Sequence, residues 1–140
     1  MIEGTEDAVS AVAGATPAQR FALGAGALYM ILGVVGFATT GFSDFTSEGG
    51  HQLLVFGINP LHNLVHLAAG GLWLWAARKH ATARVVDVAL GVTFVALTAI
   101  GFSGHAGVLA IEPGDSDNFL HLATGALSLY FGSVGAVSLD

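Results

Sequence analysis

The sequence predicts an all-α integral membrane protein, a four-helix bundle made of two pseudo-repeated helical hairpins with both termini in the cytoplasm. Three observations lead there. The chain holds four uncharged apolar runs, Phe21 to Ser43, Leu53 to Ala77, Val88 to Ile111 and Phe119 to Leu139, each supplying the roughly 20 residues that cross a bilayer. Only 10% of its residues are charged and its mean hydropathy is +0.72, whereas a soluble domain carries about 25% charged residues to keep its surface wetted. Its four Lys and Arg residues, Arg20, Arg78, Lys79 and Arg84, all precede the first run or lie between the second and third, so the positive-inside rule puts that end in the cytoplasm.

Taken in order, residues 1–16, "MIEGTEDAVSAVAGAT", read as a mobile acidic tail, and since they lack the basic start of a signal peptide, no cleaved signal is expected. The first helix is expected over 17–42, opened by Thr16-Pro17, a capping residue before a proline. The stretch "GGHQLLVFGI" at 49–58 is short, apolar and glycine-led, and reads as either an interfacial half-turn or a re-entrant piece. Asn59-Pro60 opens a second helix, 60–78, and a third is expected over 83–104. Asp115, Ser116 or Asp117 caps a fourth, 118–138. Arg84 and Asp87, three residues apart, suggest a local pair at headgroup level. "GVVG" at 33–36 and "GSVGA" at 132–136 read as close helix packing, and Trp75 as an interfacial anchor.

Helices two and four carry matching text. "NLVHLAAGGLWL" at 63–74 and "NFLHLATGALSL" at 118–129 agree at seven of twelve positions, including the scarce letters Asn and His. The helices before them end alike, "TTGFS" at 39–43 and "AIGFS" at 99–103, so the repeating unit is a whole hairpin. Two hairpins inserted in the same direction are related by a pseudo-twofold axis along the membrane normal, which brings His66 and His121 towards each other.

His62 and His66 lie about 40° apart on one helix face, with Cβ atoms about 5–6 Å apart. With His121 they make three imidazoles, the number that holds a catalytic zinc with a fourth position open. Asp117, Glu112 or Asp115 supplies a carboxylate to that position. Asn63 and Asn118, three residues before His66 and His121, are candidates for the hydrogen bonds that orient a ligating imidazole. Gly70 and Gly125 each follow a repeated histidine by one turn, leaving a side-chain-free slot of the kind a haem b held by two axial imidazoles needs. The ligand expectation is therefore a transition metal, zinc or copper, or haem b. Two other readings stand beside it: a scaffold or accessory subunit of a larger membrane assembly whose histidines are interhelical hydrogen-bond partners, and a zinc-dependent membrane hydrolase.

Composition excludes several classes. There are no cysteines, so disulfides, thiolate catalysis and cysteine-ligated metals are absent. A net charge of −6 with four basic residues leaves no surface for nucleic acid, and the expected partners are the lipid bilayer and a homo-oligomer or larger membrane complex. No nucleotide loop, serine-hydrolase elbow or H-E-x-x-H pattern occurs.

At "NPLHNLVHLAAGGL" and "DSDNFLHLATGAL" the chain resembles a family of small four-span membrane proteins common in actinobacteria and classified only as a domain of unknown function. The resemblance covers about residues 18–138. It implies a four-helix integral membrane protein and draws attention to Asn59, His62, Asn63, His66, Asp117, Asn118 and His121, and it implies no activity.

Overall fold

The structure is a computed structural model that describes residues 5–6, 14–48 and 51–134. It is helical, with four long helices: α1 Pro17–Thr40, α2 Pro60–Ala76, α3 His80–Phe102 and α4 Ser116–Val134. Two of them, α1 and α3, are long and apolar enough to cross a membrane. The expectation of a mobile tail over 1–16 falls almost wholly outside the described residues, as does the end of the fourth helix beyond Val134.

The helix starts follow from local chemistry. Thr16 and Gln19 form a reciprocal cap, each side chain meeting the other's backbone N–H, and Pro17 takes the first-turn position where a missing N–H costs nothing. Asn59 Oδ1 accepts from the His62 backbone N–H at 2.8 Å, again with proline next. α1 ends at Thr40 because Gly41 turns to φ +67°, a region side chains disfavour. α3 begins at His80, three residues before the expected start, and its ring Nδ1 lies 2.8 Å from Thr16 Oγ1.

Small residues face inward and large apolar ones outward. α1 buries Ala18, Ala22, Gly26, Tyr29, Gly33 and Gly36 while exposing Ile31, Val34 and Val35. Such an exterior suits a hydrocarbon solvent, where helices associate by close packing rather than by hiding leucines. α1 packs along α2, and α3 along α4. A Cβ at Gly70 would stand 2.7 Å from Met30 N, and one at Gly125 would stand 3.0 Å from Val95 N, so both pairs approach backbone to backbone.

The two pairs share their contacts. Gly36 faces Asn63 and Gly101 faces Asn118; Gly26 lies against Leu74 and Gly70, and Gly91 against Leu129 and Gly125. By these contacts Gly26, Tyr29, Leu32, Gly36 and Phe37 run in step with Gly91, Phe94, Leu97, Gly101 and Phe102. The end-of-helix match of "TTGFS" with "AIGFS" is therefore a different register, since Gly41, its counterpart of Gly101, has nothing within 4 Å of a Cβ.

Residues 51–58 are neither a half-turn nor re-entrant. They form an antiparallel β-hairpin, β1 His51–Leu53 with β2 Phe56–Ile58, paired His51 to Ile58 and Leu53 to Phe56. The hairpin and a 3₁₀ turn at Gly107–Leu109 roof one end of the bundle. Asn59 Nδ2 donates to the carbonyls of Val108 at 2.9 Å and Ser47 at 3.3 Å, joining the two roof segments.

Basic charge is segregated along the bundle. Gln19 Nε2 donates to Ala77 O, and Arg84 Nε donates to Gly132 O, gathering the start of α1, the α2–α3 corner and the end of α4 at one end with all the basic residues. Asp44, Glu48, Glu112, Asp115 and Asp117 belong to the roofed end.

Candidate metal centre

His62 and His66 occupy the first two turns of α2 and His121 the second turn of α4, and all three are buried, at 1%, 3% and 2% exposure. Their ligating nitrogens lie within 4.8 Å of one another. His62 Nε2 and His66 Nε2 are 3.0 Å apart, close to the roughly 3.3 Å separating two nitrogens bound tetrahedrally to one zinc at about 2.05 Å. The ring centroids of His121 stand 5.6 Å from His62 and 5.9 Å from His66. Asp117 Oδ1 lies 3.7 Å from His62 Nε2, and its carboxylate is 1% exposed.

These groups are under-satisfied. His62 Nδ1, His66 Nδ1, both nitrogens of His121 and both oxygens of Asp117 find no full hydrogen bond among the described residues. The nearest backbone on the roof side belongs to Gly57 and Leu109, which the His62 ring faces, with Gly57 also facing the Asp117 carboxylate. A buried polar group without a partner costs about 1–3 kcal/mol. Below the cluster, Tyr29 meets His66 edge-on at 4.9 Å and Phe94 meets His121 at 5.1 Å, with the Tyr29 and Phe94 rings 5.0 Å apart. Trp73 stacks on Phe94, and Tyr29 donates its hydroxyl to Thr124 Oγ1 at 3.0 Å. The imidazoles thus rest on an aromatic floor.

Comparison with known proteins places the chain. A family model, the domain of unknown function DUF4383, matches residues 19–134. The chain belongs to that family. No curated protein and no solved structure matches it.

In this DUF4383 chain the expected ligands His62, His66, His121 and Asp117 come together, while other expectations resolve differently. Asn63 and Asn118 do not touch the histidines. Asn63 Nδ2 donates to Thr40 Oγ1 at 2.9 Å, and Asn118 Nδ2 donates to the carbonyls of Glu112 at 2.8 Å and Pro113 at 3.3 Å, so Asn63 braces α2 against the end of α1 and Asn118 ties the first turn of α4 to the loop before it. Gly70 and Gly125 leave no slot, because the backbones of α1 and α3 fill the space beside them. Glu112 is exposed, and Asp115 Oδ2 accepts from the Glu112 backbone N–H at 2.8 Å, so the loop backbone holds it while its charge acts on His62 and Asp117. Asp87 is not paired with Arg84: it is fully buried near the Trp73 indole N–H, short of full hydrogen-bond geometry. Tyr29, Phe94 and Gly57 are site residues that sequence reasoning misses. Only the in-step spacing of Tyr29 and Phe94 along α1 and α3 carries a signal for them.

Proposed function

We propose that the protein is a four-span membrane protein that holds one divalent transition-metal ion, zinc or copper, on His62, His66 and His121, with the Asp117 carboxylate at the fourth position. The observation that carries this reading is the convergence of three buried imidazoles and a buried carboxylate, in which His62 and His66 meet each other through Nε2 while His121 and Asp117 have no full hydrogen bond among the described residues. An ion supplies what His121 and Asp117 are missing and takes the place of the Nε2 contact between His62 and His66, and the donor set suits zinc or copper. Haem b suits the site poorly, because Tyr29 and Phe94 fill the space under the rings and the glycine positions are occupied by helix backbone. Hydrolysis is not part of the proposal, since Asp117 is 1% exposed and a hydrolase needs a water-accessible base beside its metal.

α2 and α4, with 17 and 19 residues, extend about 26 and 28 Å at 1.5 Å per residue, enough with the roof to complete a four-span bundle. The shared contacts of the two helix pairs support duplication of one hairpin about an axis along the membrane normal. The segregated basic charge supports cytoplasmic termini with the metal centre at the outer end; impermeant labelling of single cysteines placed in this cysteine-free chain tests that orientation.

The test of the site is metal analysis of detergent-purified protein after equilibration with zinc or copper and removal of excess. Wild type is expected to retain about one ion per chain, and His66→Ala at least tenfold less at the same free concentration. A folded wild type that retains none at micromolar free metal would leave the histidines as interhelical hydrogen-bond partners, the scaffold reading.

A further inference from the structure

We propose that the acidic depression over the roof is the path by which a divalent cation reaches the histidine cluster, and that Gly57 is the wall it passes. This inference rests on the metal-binding reading above. The depression has a volume of about 220 Å³, opens to solvent, and is lined by Glu48, His51, Gln52, Gly57, Glu112 and Asp115.

Two independent features join it to the cluster. Gly57 lines the depression on one side, and on the other it faces both the His62 ring and the Asp117 carboxylate. Those two side chains are 1% exposed, and His62 Nδ1 and both Asp117 oxygens lack full hydrogen bonds. The buried donors thus stand directly behind the one lining residue that has no side chain. A Cβ at Gly57 would come 2.5 Å from Ala110 O and 3.1 Å from Asp115 Oδ2, so only a glycine fits where β2 meets Ala110, just after the 3₁₀ turn.

Charge acts in the same direction. Three carboxylates, Glu48, Glu112 and Asp115, border the depression, His51 is its one other titratable side chain, and all four Lys and Arg residues lie at the opposite end. Carboxylates around a concave mouth raise the local cation concentration and the association rate, an effect that salt screens. Elsewhere the cluster is enclosed by α1, α3 and the aromatic floor, and the charged residues of those helices, Arg20, Arg84 and Asp87, belong to their opening turns at the opposite end.

The experiment is stopped-flow zinc uptake by full-length protein in detergent, read by competition with a fluorescent chelator, for wild type, Glu112→Gln, Glu48→Gln/Glu112→Gln, Glu112→Lys, and Asp44→Asn as an acidic control at the same end but outside the depression. At low ionic strength the double variant is expected to load about tenfold more slowly than wild type, and Glu112→Lys more slowly than Glu112→Gln. The gap closes at high salt, final stoichiometry stays the same, and Asp44→Asn loads like wild type. Equal loading rates and salt dependence in wild type and the double variant, with zinc bound normally in both, would overturn the path and leave the metal site standing. A wild type that takes up no zinc would overturn both.

Discussion

Alanine in place of Gly101 is expected to remove about 3 kcal/mol of stability, a large share of what a small helical domain has. A Cβ at this position falls on Asn118 Oδ1, with Ile111 Cγ2 close behind at 3.3 Å. Asn118 cannot turn aside, because its Nδ2 is held by the carbonyls of Glu112 and Pro113. α4 must therefore move off α3 or give up both hydrogen bonds. Either response leaves buried polar groups unmet at about 1–3 kcal/mol each. Gly36→Ala meets Asn63 in the same way but is expected to cost less, since among the described residues the Asn63 side chain is tied only to the Thr40 hydroxyl. Gly24→Ala is the control: nothing lies within 4 Å of its Cβ, and helix propensity alone favours alanine by up to about 1 kcal/mol. Thermal unfolding in detergent ranks the three. A Gly101→Ala protein as stable as wild type would mean that the α3–α4 contact is not the close approach described here.

His121→Leu separates a ligand from a structural histidine. Neither ring nitrogen of His121 has a full hydrogen bond among the described residues, and the ring sits among Phe94, His62 and His66. Replacing an unpaired buried polar group with an apolar one of similar size is neutral or stabilising. The metal-free variant is therefore expected to melt at or above the metal-free wild-type temperature. With zinc the order reverses. Wild type gains about 2.7 kcal/mol at a free concentration 100-fold above its dissociation constant, whereas the variant, left with two imidazoles and Asp117, gains little. Metal binding also weakens in acid for wild type, because each imidazole must be neutral to ligate. A His121→Leu protein that is clearly destabilised without metal, alongside a wild type indifferent to zinc, would make His121 a structural hydrogen-bonding residue.

What the sequence reveals follows the range of the physics. Thr16-Pro17 and Asn59-Pro60 mark helix starts correctly, since capping depends on neighbours three residues away. The meeting of His66 and His121 is legible because the Asn-x-x-His spacing recurs on two helices. The β-hairpin at 51–58 is hidden: its turn puts Leu54 at φ +58°, where a glycine, asparagine or aspartate would have announced it. The asparagines mislead because three residues along a helix place Asn63 and Asn118 near the histidine face, yet their side chains turn to the adjoining helix. Gly70 and Gly125 mislead for a related reason, since a missing side chain reads the same whether a ligand or a backbone fills the gap. Asp87 near Arg84 looks like a local pair, but the Arg84 guanidinium reaches Gly132 O across to α4, a contact that no local spacing encodes.

X-ray absorption at the zinc edge of the stoichiometrically loaded protein tests the central claim most directly. The expected spectrum has four nitrogen or oxygen neighbours at about 2.0–2.1 Å, with the multiple-scattering signature of three imidazoles that falls to two in His66→Ala. A six-coordinate shell of oxygens without imidazole scattering would contradict the account, placing the ion on surface carboxylates and leaving His62, His66 and His121 without a metal.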